Sequence, residues 1–156
     1  MAPLREIRLI EASVRKTDTF RAAARTLLRS ETSALAVVDE QERVVGLFTD
    51  DDLLRGLFPR YLEELHHTAF LVENVESLRG SLDKAARESV ESHMREPVTV
   101  EIDAGAAHVV ERFLHTPWGA VAVTEGGRFV GMVNQLDLTK HLVERLDPGG
   151  AWLEMG

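Results

Sequence analysis

Two seven-residue stretches carry the side chains best placed for chemistry: Gly46-x-x-Thr49-x-x-Asp52 and Gly131-x-x-Asn134-x-x-Asp137. Each sets a hydrogen-bonding side chain and a carboxylate three residues apart. Each follows a β-prone run and opens a stretch of helical periodicity, so both groups fall at the start of a helix. A hydroxyl there, beside unpaired backbone N–H groups, suits an anionic oxygen. A carboxylate accepts hydrogen bonds from ligand hydroxyls. The plainer role is capping, in which Thr49 is the N-cap and Asp52 its partner, worth about 0.5–2 kcal/mol over Ala. Other chemistries find no support. The chain has no cysteine, which excludes disulfides and thiolate ligands or nucleophiles. His66 and His67 are adjacent, so in a helix they point about 100° apart and do not chelate. His93, His108, His115 and His141 are scattered, with no neighbours at metal-ligand spacing. There is no Ser-His-Asp signature or nucleophile elbow. The expectation is a chain with no catalytic residues and no metal site.

The two stretches belong to two copies of one unit, and Gly46 to Gly131 and Asp52 to Asp137 are each 85 residues apart. Such repetition dictates the architecture before any other feature does. Each copy opens on a short β-prone run, Ala12-Ser13-Val14 or Val98-Thr99-Val100. A polar cap follows, Thr17-Asp18 in one and Asp103 in the other. Then comes a helix whose apolar residues recur at i, i+3, i+4, i+7 and i+8. They are Phe20, Ala23, Ala24, Leu27 and Leu28 in the first, and Ala106, Val109, Val110, Phe113 and Leu114 in the second. This block runs at an offset of 86. A one-residue step is therefore expected in the loop after the helix, either 29–34 or 115–119. Two strands follow, 35–38 and 44–48 in the first copy, 120–123 and 129–133 in the second. The Gly126-Gly127 pair between the latter two suits a tight hairpin. Gly46 and Gly131 lie inside strands, where glycine signals close approach by a ligand or a neighbouring helix. A second helix closes each copy, with Leu53, Leu54 and Leu57 matching Leu138, Leu142 and Val143. Pro59 ends the first of these helices and Pro148-Gly149-Gly150 the last. The expected fold is α/β (α+β), with two pseudo-twofold-related halves, each strand-helix-strand-strand-helix, and clefts between them.

The remaining sequence narrows the setting. With 156 residues, two small halves can share one core. The net charge of −8 and the lack of a Lys/Arg cluster argue against extended contact with nucleic acid. No apolar run reaches the roughly 20 residues that span a bilayer, and the first residues lack the apolar core of a signal peptide. A cytoplasmic location is expected, without membrane contact. Residues 59–93 are not repeated. Tyr61, Leu62 and Leu65 suggest a short helix there. Leu71, Val75, Leu78, Leu82 and Ala86 suggest a second, amphipathic one, packed on the core or on a partner. Trp118 is placed to cap a cleft or a dimer surface, or to cover the core edge. Trp152 and Leu153 are expected to dock locally or mark an interface.

Taken together, the residues resemble a tandem pair of CBS domains, the Bateman module. The resemblance rests on Val37-Val38-Asp39-Glu40 and Gly46-x-x-Thr49-x-x-Asp52, then on Met94-x-x-Pro97-Val98-Thr99-Val100 and Gly131-x-x-Asn134-x-x-Asp137. It divides the chain into repeat 1 (7–58), a helical insert (59–93), repeat 2 (94–146) and a tail (147–156). It implies a regulatory homodimer, not an enzyme, which takes an adenosine-containing ligand between the repeats and modulates a separate partner protein. AMP, ADP, ATP and S-adenosylmethionine are the candidate ligands, and no cofactor is required. The family pattern places the hydroxyl and the carboxylate around the ribose and first phosphate. Thr49 and Asp52 match fully, while the second copy keeps Asp137 but has Asn134 in place of Thr or Ser. Val14, Ala36 and Val100 are candidates to flank an adenine ring. The positions where some members carry Arg or His hold Ser33-Ala34 and Trp118-Gly119. Asp50 and Asp51 add further negative charge, so a triphosphate would need a metal ion, or Arg15 and Lys16, for compensation. The alternative is a dimerising interaction module with vestigial clefts.

Overall fold

The computed structural model describes residues 2–58 and 75–154. The short helix around Tyr61, Leu62 and Leu65, together with Leu71, Pro59 and the His66-His67 pair, lies outside the described residues. Repeat 1 contains β1 (Ser13–Arg15), α1 (Phe20–Arg29), β2 (Ala34–Val38), β3 (Val44–Thr49) and α2 (Asp50–Leu57). A helix α3 (Val75–Ala86) lies against α1 and α2. Repeat 2 contains β4 (Thr99–Glu101), α4 (Ala106–Leu114), β5 (Ala120–Glu125), β6 (Arg128–Asn134) and α5 (Gln135–Leu146), followed by a short α6 (Ala151–Glu154). The fold is thus mixed α/β, with two three-stranded sheets ordered β1-β2-β3 and β4-β5-β6. In each, the first strand pairs parallel and the hairpin pairs antiparallel. Among the described residues no helix is long and apolar enough to cross a membrane.

The central strands are buried along almost their whole length, and alternation divides their side chains between two surfaces. Ala120 and Ala122 join the core built around the first sheet, while Val121 and Val123 pack with Val109 and Phe113 in the second core. Ala34 and Ala36 match Ala120 and Ala122. These small residues let the sheets approach face to face.

Three local expectations are corrected. The one-residue step is not in the loop after the first helix. Ser13 pairs with Ala36 and Thr99 with Ala122, so the offset of 86 persists through the central strand. It changes in the hairpin, where Asp39–Arg43 is one residue longer than the corresponding turn and Glu42 takes a φ of 63°. The N-cap of α1 is Thr19, whose Oγ1 accepts from Ala22 N–H at 3.1 Å, whereas Asp18 accepts from Arg15 N–H in the preceding turn. In repeat 2 the N-cap is Gly105, with no side-chain cap, because Asp103 is engaged by Arg5 at 2.6 and 3.1 Å. Finally, Leu28 and Leu114, the last residues of the two apolar stripes, are each 75% exposed. Leu27 and Phe113, one position earlier, are buried, so the i+8 edge of each stripe turns away from the sheet.

The strand glycines have a shared explanation. Met94 and Arg95 form an extended strap that crosses β3, with Arg95 and Leu47 exchanging backbone hydrogen bonds at 2.9 and 3.0 Å. A Cβ on Gly46 would sit 2.4 Å from Met94 Sδ. Leu9 and Ile10 cross β6 in the same way. Ile10 exchanges hydrogen bonds with Met132 at 2.8 and 2.7 Å, and a Cβ on Gly131 would sit 2.6 Å from Leu9 Cβ. The approaching group is the chain segment that leads into each repeat, laid across the other repeat.

Candidate functional site

The two Gly-x-x-Thr/Asn-x-x-Asp motifs occupy equivalent places, each running from the end of a hairpin strand into the first turn of a helix. β3 delivers Thr49 to the N-cap of α2, and β6 delivers Asn134 to the N-cap of α5. Each helix start is tied to the loop before the central strand of its own repeat. Asp50 N–H donates to Ser33 O at 3.0 Å, and Gln135 N–H donates to Gly119 O at 2.9 Å. Ser33 Oγ in turn donates to the Trp118 carbonyl, which joins the two loops across the pseudo-twofold axis.

At the first motif, Thr49 is fully buried and Asp52 is 6% exposed. They form a reciprocal capping box. Asp52 N–H donates to Thr49 Oγ1 at 3.2 Å, and Thr49 N–H donates to Asp52 Oδ2 at 2.9 Å. Thr49 Oγ1 also donates to Oδ2 at 3.0 Å. Arg95 completes the arrangement with a two-pronged grip, Nε to Oδ2 at 3.0 Å and Nη2 to Oδ1 at 2.8 Å. Its guanidinium lies 4.7 Å from the centroid of the Trp118 ring, a stacked cation–π contact. The Arg95 pKa is raised above its ordinary value, first by the hydrogen bond to Asp52, which outweighs the opposing effect of burial, and further by the charges of Asp52, Asp51 and Asp50. Arg95 therefore stays charged. The indole N–H of Trp118 is buried and has no acceptor among the described residues.

The second motif is differently populated. Asn134 makes no cap, and its Nδ2 donates to Glu31 O at 2.9 Å. Asp137 has no hydrogen-bond or ion-pair partner among the described residues. The strap residue that corresponds to Arg95 is Ile10, which has no charge to offer. Here the repeats leave an open cleft of about 510 Å³, bounded by Glu31, Ser33 and Gly119 on one side and by Asn134, Gln135, Leu136 and Thr139 on the other. That volume lies within the range of small-molecule sites. No cation is among these lining residues, and Glu31 pairs outward with Arg8 at 2.9 Å.

The other sequence candidates sit apart from both motifs. Val14 and Ala36 are packed in the first core, and Val100 in the second. Arg15 reaches Glu42 at 3.5 Å, and Lys16 contributes its charge near Asp39. Neither cation turns toward Asp52. The cation that does is Arg95, which sequence reasoning missed. Its only signal was a basic residue next to Met94 in the Met-x-x-Pro stretch, and its partner lies 43 positions away. Among the described residues, no three His, Asp or Glu side chains are grouped to hold a metal ion.

A family model for the CBS domain matches the sequence in two segments, residues 5–58 and 89–144. A comparison with curated proteins found no match. Solved structures give the same fold at low identity. The CBS domain of a CBS domain containing membrane protein from Sphaerobacter thermophilus is 24% identical with a TM-score of 0.63, over 89% of this chain and 91% of that one. A CBS domain-containing protein of unknown function from Kribbella flavida is 21% identical with a TM-score of 0.73, over 92% and 98%. The CBS-pair protein CBSX2 from Arabidopsis thaliana is 15% identical with a TM-score of 0.70, over 93% and 96%.

Proposed function

The chain belongs to the CBS-domain family, and from that premise we propose that it is a regulatory module which takes an adenosine-containing small molecule between its repeats and conveys that state to a separate partner protein. The observation that carries this reading is the open cleft at the start of α5, lined on that helix by Asn134, Gln135, Leu136 and Thr139, together with the Asp137 carboxylate in the first turn of the same helix, which has no partner among the described residues. A free carboxylate there can accept both hydroxyls of a ribose. The N-terminus of a twelve-residue helix favours one modest negative charge beside it. The lining offers no cation against a polyphosphate, so AMP or an adenosyl compound such as S-adenosylmethionine suits the cleft better than ADP or ATP. Thr49 and Asp52 belong to the same family pattern, but their hydrogen bonds are already satisfied within the chain.

That satisfaction favours a second reading, an interaction module with unused clefts. Under either reading the exposed Leu28 and Leu114 support a homodimer. Thermal unfolding against AMP, ADP, ATP, S-adenosylmethionine and NAD separates the two, with Asp52→Ala and Asp137→Ala beside the parent. A ligand that binds only the folded chain raises the midpoint with its concentration. A rise with one compound, lost in Asp137→Ala, is the expected result. No rise with any compound at millimolar concentration leaves the interaction module.

A further inference from the structure

Two sites built from one repeated unit should be alike, and these differ at the helix start, Thr49 against Asn134, and in the strap that crosses them, Arg95 against Ile10. One strap brings Arg95 onto Asp52, whereas the equivalent residue of the other strap, Ile10, pairs with Met132 and carries no charge. The consequence can be counted. A carboxylate offers about four lone-pair positions. The Asp52 carboxylate accepts four hydrogen bonds from within the chain, two from Thr49 and two from Arg95. Three of them fall on Oδ2 and one on Oδ1, so at most one position remains and a ligand diol, which needs two, is not accommodated. Trp118 closes over the guanidinium, and its own indole N–H is buried without an acceptor among the described residues.

We propose that Arg95 is a built-in occupant of the first cleft: the chain takes one ligand, at the start of α5, and the Asp52 cleft is a latent second site that opens only when Arg95 leaves the carboxylate. This rests on the nucleoside-binding reading above. The guanidinium does for Asp52 what a ligand's hydroxyls would do, with two donors at 2.8 and 3.0 Å in a rigid fork. The difference in charge lies at one strap position, so it can be removed from the first cleft at Arg95 and tried in the second at Ile10.

The test is equilibrium dialysis with adenosine on the full chain. Adenosine is neutral, so the acidic surroundings of Asp52 do not obscure the count. The parent should bind one equivalent. Arg95→Ala should bind two, and its second equivalent should disappear on adding Asp52→Ala. If Arg95→Ala folds poorly, Arg95→Gln replaces it. Ile10→Arg sets the same cation at the equivalent strap position and should lower the binding of the parent's one equivalent. Two equivalents in the parent, or one equivalent unchanged in both Arg95 variants, overturns the built-in occupant while leaving the α5 cleft standing. No binding by the parent with one equivalent in Arg95→Ala upholds the occupant and overturns the open-cleft reading. No binding by any variant overturns both.

Discussion

Asp52 and Asp137 occupy the same place in the repeat and face opposite fates, so one substitution at each isolates what the surroundings contribute. Asp52→Ala removes a capping carboxylate, worth about 1 kcal/mol, and charge-assisted hydrogen bonds worth about 1.5–3 kcal/mol. Arg95 retains 24% side-chain exposure, so it recovers some hydration when released, and the expected total loss is about 2–3 kcal/mol. Asp137→Ala has no described partner to break and should fall within about 0.5 kcal/mol of the parent. Urea unfolding checks both through the midpoint at constant slope, and equal losses at the two positions would refute the assigned contacts. Asp103 gives a pH signature at the same scale. Its carboxyl is held below the ordinary 3.8 by the hydrogen bond from Arg5 and by that residue's charge. A depressed carboxylate contributes stability that is complete above its unfolded value and is lost as pH falls through its lower folded value. Acid titration below about pH 4 should therefore destabilise the parent more than Asp103→Asn. The pair is exposed, so the difference should shrink in high salt.

At the level of elements, the glycines separate close approach from simple tolerance. A Cβ on Gly131 would press on Leu9 Cβ at 2.6 Å, next to the backbone of the strap. On Gly46 it would press mainly on the Met94 side chain, which can rotate away. Gly131→Ala should therefore cost more than Gly46→Ala, in the range of about 1–3 kcal/mol for overpacking. Gly80 lies in α3 with open space around its Cα, so Gly80→Ala should stabilise by about 0.5–1 kcal/mol. Thermal midpoints of the three variants rank them in one experiment. These elements also show how much the sequence revealed. Both repeats, their strand and helix order and the Gly-x-x-Thr-x-x-Asp motif were legible, because periodicity and turn chemistry are local. Gly46 and Gly131 announced a close approach, yet what approaches is a strap distant in sequence, Met94-Arg95 for one and Leu9-Ile10 for the other, which no local pattern encodes. Asp52 was legible as a capping or ligand-binding residue. The choice between those roles rested on Arg95, a contact across 43 positions. The capping of α4 was misread for the same reason, since Arg5 draws Asp103 away from 98 positions off.

Over the whole molecule, the crossed straps make the two repeats mutually dependent. Leu4, fully buried, fills the core of repeat 2 although it precedes repeat 1, and the strap before repeat 2 covers repeat 1. Arg43 and Arg128, equivalent residues of the two hairpins, bridge across the pseudo-twofold axis. The same symmetry places Leu28 and Leu114 as matched exposed leucines on α1 and α4. A single leucine outside needs no explanation, but an equivalent pair at the same exposed place suits a twofold, self-complementary contact with a second chain. The expected state is a dimer, twice 17.4 kDa by sedimentation equilibrium, and Leu28→Glu with Leu114→Glu should reduce it to one chain. Ionic strength tells which force holds it. Each chain carries a net charge of −8, so two chains repel one another. If apolar burial joins them, added salt screens that repulsion and tightens the dimer. If ion pairs join them, salt loosens it, and Leu28 and Leu114 are not the contact.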